Sequence, residues 1–423
     1  MIPFRAFRLA GASARSVRLV GILAILGIVG CDAATDRFAA NELHGRVVSF
    51  RESTGVAAAV EDSAAVVGEL FGNPDVPLLP ESFPDGLIDL ENLQRAAGPV
   101  SSDREDVHFG IYRAHCVVCH GLEGGGAGPA AALQNPYPRD FRAGIFKFKS
   151  SPRGEKPLRA DLTDLLVRGA PGTSMPSFAR LPEEDIEAVV DYVIYLSIRG
   201  ETERRLQRFA VAELGYGDER PDSSADRLLT DGEGHFQSAE IGSAVSQIIT
   251  DVASAWIDAR PVEVPAPPVY SAEAELDAAI ERGRQRFHGP VANCASCHGK
   301  DGNADAVTLD YDDWTKEQTT RLGLTPSDAD QIAPLRRAGA LRPRAIQPRR
   351  LAWGVYRGTA DPESLYRRLV VGIDGTPMPG LLVQEATGAT GVTSTEVWEL
   401  VAFLLSLDGR KDLLLTPSSR QEG

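Results

Sequence analysis

Basic charge, cysteine, histidine and methionine are all scarce in this chain. It sets 44 Lys and Arg against 59 Asp and Glu, a net charge of −15. That sign argues against a protein that coats nucleic acid, because phosphate binding needs the opposite one. Five cysteines in 423 residues are too few for a disulfide scaffold of this size. There is no P-loop, no Gly-rich dinucleotide fingerprint at a strand–helix junction and no H-E-x-x-H, and no leftover segment is long enough for a dehydrogenase domain. The remaining balance, 43% hydrophobic and 24% charged, is ordinary and excludes wholesale disorder and collagen-like architecture. The length suggests two or three domains, each able to bury its own core. The argument then turns on where five cysteines, seven histidines and three methionines fall.

Residues 1–18 hold Arg5, Arg8, Arg15 and Arg18 and no acid, and an apolar stretch follows as far as Cys31. A basic head, roughly a dozen apolar residues and small residues before a cut site describe an export signal. The stretch is shorter than the ~20 residues a spanning helix needs, which leaves a short uncleaved anchor as the alternative. Ile28-Val29-Gly30-Cys31 resembles the lipobox of bacterial lipoproteins. The resemblance implies that residues 1–30 are a signal peptide and that Cys31 is lipidated. Two or three acyl chains anchor stably where one would be marginal. Asp32 points to retention at the inner membrane. The expected location is the periplasmic side of a bacterial membrane.

The other four cysteines form two identical motifs, Cys116-Val117-Val118-Cys119-His120 and Cys294-Ala295-Ser296-Cys297-His298. Each reads C-x-x-C-H, the attachment signature of c-type haem. Two thiols three residues apart at the start of a helical turn add to the two vinyl groups of one porphyrin, and the next residue brings an imidazole under the iron. A shared zinc site would want the pairs close together, and here 178 residues separate them. Each motif also has its own downstream methionine. Met175 lies in Gly172-Thr173-Ser174-Met175-Pro176, and Met378 in Gly375-Thr376-Pro377-Met378-Pro379. A Gly/Pro loop aims a thioether with little ordering cost, and thioether ligation raises the potential of haem iron.

The order of features recurs around these marks. Pro138-Arg139-Asp140-Phe141 is echoed by Pro348-Arg349-Arg350-Leu351, and a helix bearing Leu162, Leu166 and Gly169 by one bearing Leu365, Leu369 and Gly372. Stretches leading into each Cys motif, from about Asp106 and from Ala272, read as helix. A further helix opens after each Met loop, at Pro182 with Ile186, Val189, Val190 and Val193, and near Thr395 with Val397, Leu400, Val401 and Leu404. The offset between copies is 178 at the Cys motif, 210 at the Pro-Arg segment and 203 at the methionine. An insertion therefore falls within Asp301–Leu341; it contains Trp314 and several acids and reads as a surface loop.

This pattern resembles the class I cytochrome c family over roughly 103–200 and 272–410. The resemblance implies a mainly α fold, with two tandem class I cytochrome c-like three-helix domains and extra linking helices. It implies two covalently bound haem c groups, carried by Cys116 and Cys119 and by Cys294 and Cys297. His120 and His298 are the proximal ligands it implies, and Met175 and Met378 the distal ones. Arg139 and Arg349 would face haem propionates. The first copy is also similar to membrane-associated cytochromes of planctomycete-type bacteria.

The organisation expected is a signal peptide over 1–30, a tether and N-terminal extension over 31–102, a first domain over 103–200, a helical linker over 201–271, a second domain over 272–410 and a tail over 411–423. In the linker, Ile241, Val245, Ile248, Ile249, Val252 and Trp256 recur at helical spacing and read as core packing. Pro261–Pro268 reads as a stiff linker or strap. His108, His115 and His288 are alternative iron ligands, while His44 and His235 have no usable context.

A haem with both axial positions filled has no site for substrate, which leaves electron transfer. The reading is a membrane-anchored dihaem cytochrome that passes single electrons in a periplasmic or respiratory chain, with no catalytic residues of its own. The alternative is a dihaem cytochrome c peroxidase, against which two matched Met loops count. The expected partners are a redox donor and acceptor with a basic docking face, the membrane through the lipid anchor, and no nucleic acid.

Overall fold

The computed structural model describes residues 37–99, 110–305, 311–384 and 390–415. Cys31, the leader, Asp106 and His108 lie outside them, as does the side chain of Trp314. The described residues are helical and contain isolated β-bridges but no extended strand. The helices are α1 (Glu42–Glu52), α2 (Ala57–Phe71), α3 (Leu90–Ala96), α4 (Ile111–His115), α5 (Val117–His120), α6 (Arg159–Arg168), α7 (Glu183–Ala212) and α8 (Ala239–Ile257). There follow α9 (Glu273–His288), α10 (Ala295–His298), α11 (Asp313–Lys316), α12 (Ala329–Arg337), α13 (Pro362–Val371) and α14 (Ser394–Ser406). None of them is long and apolar enough to cross a membrane.

The organising element is α7. Glu183, Glu184 and Asp185 in its first turn complement the helix dipole. It then runs 30 residues, about 45 Å at 1.5 Å per residue, straight through position 200. What the sequence divides at 200 into a domain helix and the start of a helical linker is one rod, because Leu206, Gln207 and Ala210 of its second half are buried too. The N-terminal extension covers it. Helices α1 and α2 pack on α7, and Val67, Phe71, Leu196 and Ile198 share one core. Helix α8 closes the other side with Ile241, Val245, Ile249, Val252 and Trp256 buried, as its period requires.

The first half has no counterpart among the described residues to the 16-residue α9. Instead α3 lies along α7 with Leu93 and Ala96 buried, held by Arg95 to Asp185 and by Asn92 to Asp191 at 2.7 Å. The five-residue α4 then leads into the Cys motif, and the Tyr112 ring packs tilted against Tyr192 with centroids 4.9 Å apart. In the second half α9 crosses α14 directly. Gly283 sits at the crossing, where a Cβ would run into the Glu399 carbonyl, and Phe287 meets Phe403 at 5.2 Å. Arg286 locks the pair through Glu399 at 2.7 Å and Glu396 at 2.6 Å. Helix α14 opens with a capping box, in which Thr393 and Glu396 satisfy each other's backbone N–H groups.

The insertion after the second Cys motif is not the surface loop that its composition suggests. It folds into α11 and α12, and Leu324, Ile332, Leu335 and Ala340 pack against Leu43 and Val47 of α1. Arg204 of α7 pairs with its Glu317 at 2.6 Å. Surface loops do not bury four apolar side chains, so here the insertion fastens the second half to the N-terminal extension. The Pro-rich run is a strap, with the Val262 N–H donated to the Ser150 carbonyl at 2.8 Å.

Candidate functional site

The two Cys motifs adopt the same local structure bond for bond. His120 N–H donates to the Cys116 carbonyl at 2.9 Å, Gly121 N–H to Val117 at 2.9 Å, and Gly126 N–H to the His120 carbonyl at 2.7 Å. In the second copy His298 N–H donates to Cys294 at 2.9 Å, Gly299 to Ala295 at 2.9 Å, and Ala304 to His298 at 2.7 Å. Each motif is thus one helical turn ending on a glycine of positive φ, 77° in both copies. The turn puts both thiols and the imidazole at one place on the chain.

The Pro-Arg segments contribute through the backbone. His120 Nδ1 lies 3.0 Å from the Arg139 carbonyl, and His298 Nδ1 lies 3.0 Å from the Arg349 carbonyl. A carbonyl only accepts, so Nδ1 carries the proton and Nε2 keeps its lone pair for a metal. Phe141 stacks on the His120 ring at 4.6 Å and fixes its plane. Burial pushes His120 down to about 4 and lowers His298 as well, which favours the neutral, ligating form. Burial also pushes the Cys116 thiol up to about 12 and that of Cys294 to about 11. These thiols therefore stay protonated in the metal-free chain.

The methionine loops repeat as closely. The Met175 carbonyl accepts from Ala170 N–H at 3.1 Å, and the Thr173 hydroxyl both donates to the Ala170 carbonyl at 2.7 Å and accepts from Met175 N–H at 3.1 Å. In the other loop the Met378 carbonyl accepts from Ile373 N–H at 3.2 Å, and Thr376 makes the same pair of bonds at 2.8 and 3.2 Å. The threonine of G-T-x-M-P is therefore the staple that closes each loop. Gly169 and Gly372, which end α6 and α13, have φ of 70° and 74°. A Cβ on either would press into the backbone that follows the methionine.

In the first half these pieces line one cleft, open to solvent. Cys116, Cys119 and His120 form part of its wall and Met175 another, with apolar side chains such as Leu162, Leu166, Val189 and Val193 also lining it. A flat apolar macrocycle held by two thiols, a neutral imidazole and a thioether fits this donor set. His115 lines the same cleft, edge-on to Phe178 at 6.2 Å. His288 is held between the carbonyls of Arg284 and Lys300 at 2.7 and 2.9 Å. His235 is an exposed partner of Asp231, and His44 is buried away from both motifs.

Arg139 and Arg349 part company. Arg139 lines the first cleft. The Arg349 guanidinium, read from sequence as facing the second haem, reaches the Gly172 carbonyl of the first methionine loop at 3.5 Å and the Val355 carbonyl at 3.2 Å. Sequence reasoning missed Arg142, fully inside and paired with Asp140 at 3.0 Å. It also missed Arg357, a residue of the second half that lines the first cleft. Neither carries a motif that distinguishes it from a solvated arginine.

The family model for cytochrome c matches residues 109–197, which span the first Cys motif, the first methionine loop and the front of α7. The described residues agree with that match, being mainly helical and without extended strands. This segment is a cytochrome c domain, and such a domain implies covalently bound haem c and haem-based electron transfer. Nothing among curated proteins matches the chain. Among solved structures, a chain of the reducing HAO-like protein complex of Kuenenia stuttgartiensis is similar at 22% identity. The similarity covers 73% of this chain and 98% of that one with a TM-score of 0.44.

Proposed function

We propose that the protein is a dihaem c-type cytochrome that passes single electrons in a periplasmic or respiratory chain and is anchored to the membrane through a lipid on Cys31. The observation that carries the dihaem reading is the bond-for-bond repetition of Cys motif, histidine anchor and methionine loop in the second half. Cys294 and Cys297 would hold the second haem as Cys116 and Cys119 hold the first, with His298 and Met378 as its axial ligands. A bound haem supplies a one-electron couple at iron. The chain's own part is to fix both axial donors in advance. The histidine proton is pinned at Nδ1, and the methionine is carried on a stapled loop. Ligands that do not move on valence change keep reorganisation small, which is what a carrier needs. The acidic surface favours a donor and acceptor with basic docking faces, and steering of that kind weakens as salt rises.

Haem quantitation on the purified protein tests this reading. Two haems per chain are expected, falling to one in Cys294→Ala/Cys297→Ala and in Cys116→Ala/Cys119→Ala. One haem in the wild type would sink the dihaem reading. Rapid peroxide turnover by the half-reduced protein would replace the carrier by a peroxidase. Metabolic labelling with palmitate, lost in Cys31→Ala, tests the anchor.

A further inference from the structure

The two methionine loops have matching internal hydrogen bonds but differ in sequence: Ala170, Pro171 and Ser174 of the first stand where Ile373, Asp374 and Pro377 stand in the second. Ahead of the glycine the first loop thus has a proline and the second an aspartate, and groups from the first half take hold of the second loop. Arg153 donates from Nη1 to the Met378 carbonyl at 2.9 Å and from Nη2 to the Thr376 carbonyl at 3.2 Å. Asp374, with its side chain 8% exposed, accepts from Lys149 Nζ at 2.8 Å and from the Gly154 N–H at 3.0 Å. Lys149 is itself enclosed, and the Pro152 and Glu155 carbonyls take its remaining protons at 2.5 Å each. A planar guanidinium on two carbonyls, one of them that of Met378 itself, fixes the backbone from which the thioether projects. Arg153, with its side chain 45% exposed, also lies 3.6 Å from Asp374 through Nε, so both charged ends of the contact meet on one carboxylate.

We propose that Arg153, Lys149 and Asp374 form a strap across the seam, by which the first half positions Met378 as the axial ligand of the second haem. Arg153 and Asp374 are positioning residues: they act on the loop and not on iron. The inference rests on the His/Met reading above. It makes the second redox centre dependent on the first half for its ligand geometry. The reverse contact, Arg349 to the Gly172 carbonyl at 3.5 Å, is longer and reaches only one carbonyl of the first loop.

The test is a redox titration of the full chain with both haems, together with the near-infrared absorption of methionine-ligated ferric haem. Met378→His identifies which wave belongs to the second centre. Arg153→Ala and Asp374→Asn are each expected to weaken methionine ligation of the ferrous more than of the ferric state, and a tenfold difference between the two lowers the second wave by about 59 mV for a one-electron couple. The near-infrared band should weaken in step, with the other wave unmoved. Arg153→Lys restores one of the two carbonyl contacts and should recover part of the shift. If both Arg153→Ala and Asp374→Asn leave the second wave in place, or move only the first, the strap is refuted. Should Arg153→Ala fail to fold, Asp374→Asn, which keeps size and shape, decides alone. If Met378→His moves neither wave, the His/Met reading falls and takes the strap with it.

Discussion

Arg199 and Glu203 sit one turn apart on α7, Nη1 to Oε2 at 3.3 Å, with side chains 1% and 0% exposed. Glu203 also accepts the Asn41 N–H at 2.6 Å, and Arg199 lies over the Phe38 ring at 4.2 Å. This charged pair is where the N-terminal extension is pinned to the helix that backs the first cleft. Removing one member leaves the other buried and uncompensated, which typically costs ~3–5 kcal/mol. Glu203→Ala is therefore expected to lower the denaturation midpoint sharply while leaving haem content unchanged at low temperature. Equilibrium urea unfolding measures it, and a loss below ~1 kcal/mol would mean the pair is solvated.

Gly372→Ala tests the methionine loop by backbone alone. The residue has φ 74°, and an added Cβ would lie 2.6 Å from the Gly380 nitrogen. Left-handed strain costs roughly 1–2 kcal/mol, and the collision adds to it. The expected result is a less stable second half with weakened near-infrared methionine absorption. An unchanged spectrum and stability would show the turn to be looser than described.

Met175→His should keep the fold, since the loop is closed by Thr173 and not by the methionine side chain. Imidazole in place of thioether lowers the potential of the first centre. Each tenfold change in the equilibrium is about 59 mV, so one of the two titration waves should move down by at least that much. Both waves staying in place would remove Met175 from the coordination sphere.

Acid should weaken the fold through His44. Burial, with the Arg204 and Arg208 charges next in order, holds its pKa well below the ordinary 6.5, so the folded protein keeps it neutral. The unfolded chain takes up the proton first as pH falls, so its contribution is complete above about pH 6.5 and is lost progressively below. Thermal midpoints between pH 7.5 and 5 should fall more steeply in the wild type than in His44→Gln. Parallel slopes would mean that the group does not titrate between these states.

The chemistry was legible in the sequence because it is local. Two thiols and an imidazole within five residues, and a methionine between Gly-Thr and Pro, need only one helical turn and one stapled loop to reach their positions. The period of α8 declared its buried face for the same reason. The first half's entry helix was not legible: α3 supplies its packing from before the segment that reads as helical. The insertion was not legible either, since its few apolar residues look isolated until α1 offers them a surface.

What the residues fixed by themselves is each site's donor set, since covalent spacing and short-range hydrogen bonds determine which side chains can meet one porphyrin. What only the folded chain decided is which groups of one copy touch the methionine loop of the other. Arg153 and Arg349 lie 196 positions apart, and each reaches a loop of the other copy. Charge and spacing look the same for an arginine in water and for one in a seam. The docking of one hydrophobic core beside another separates the two cases, and that docking is a sum of many weak contacts that no short stretch of sequence encodes.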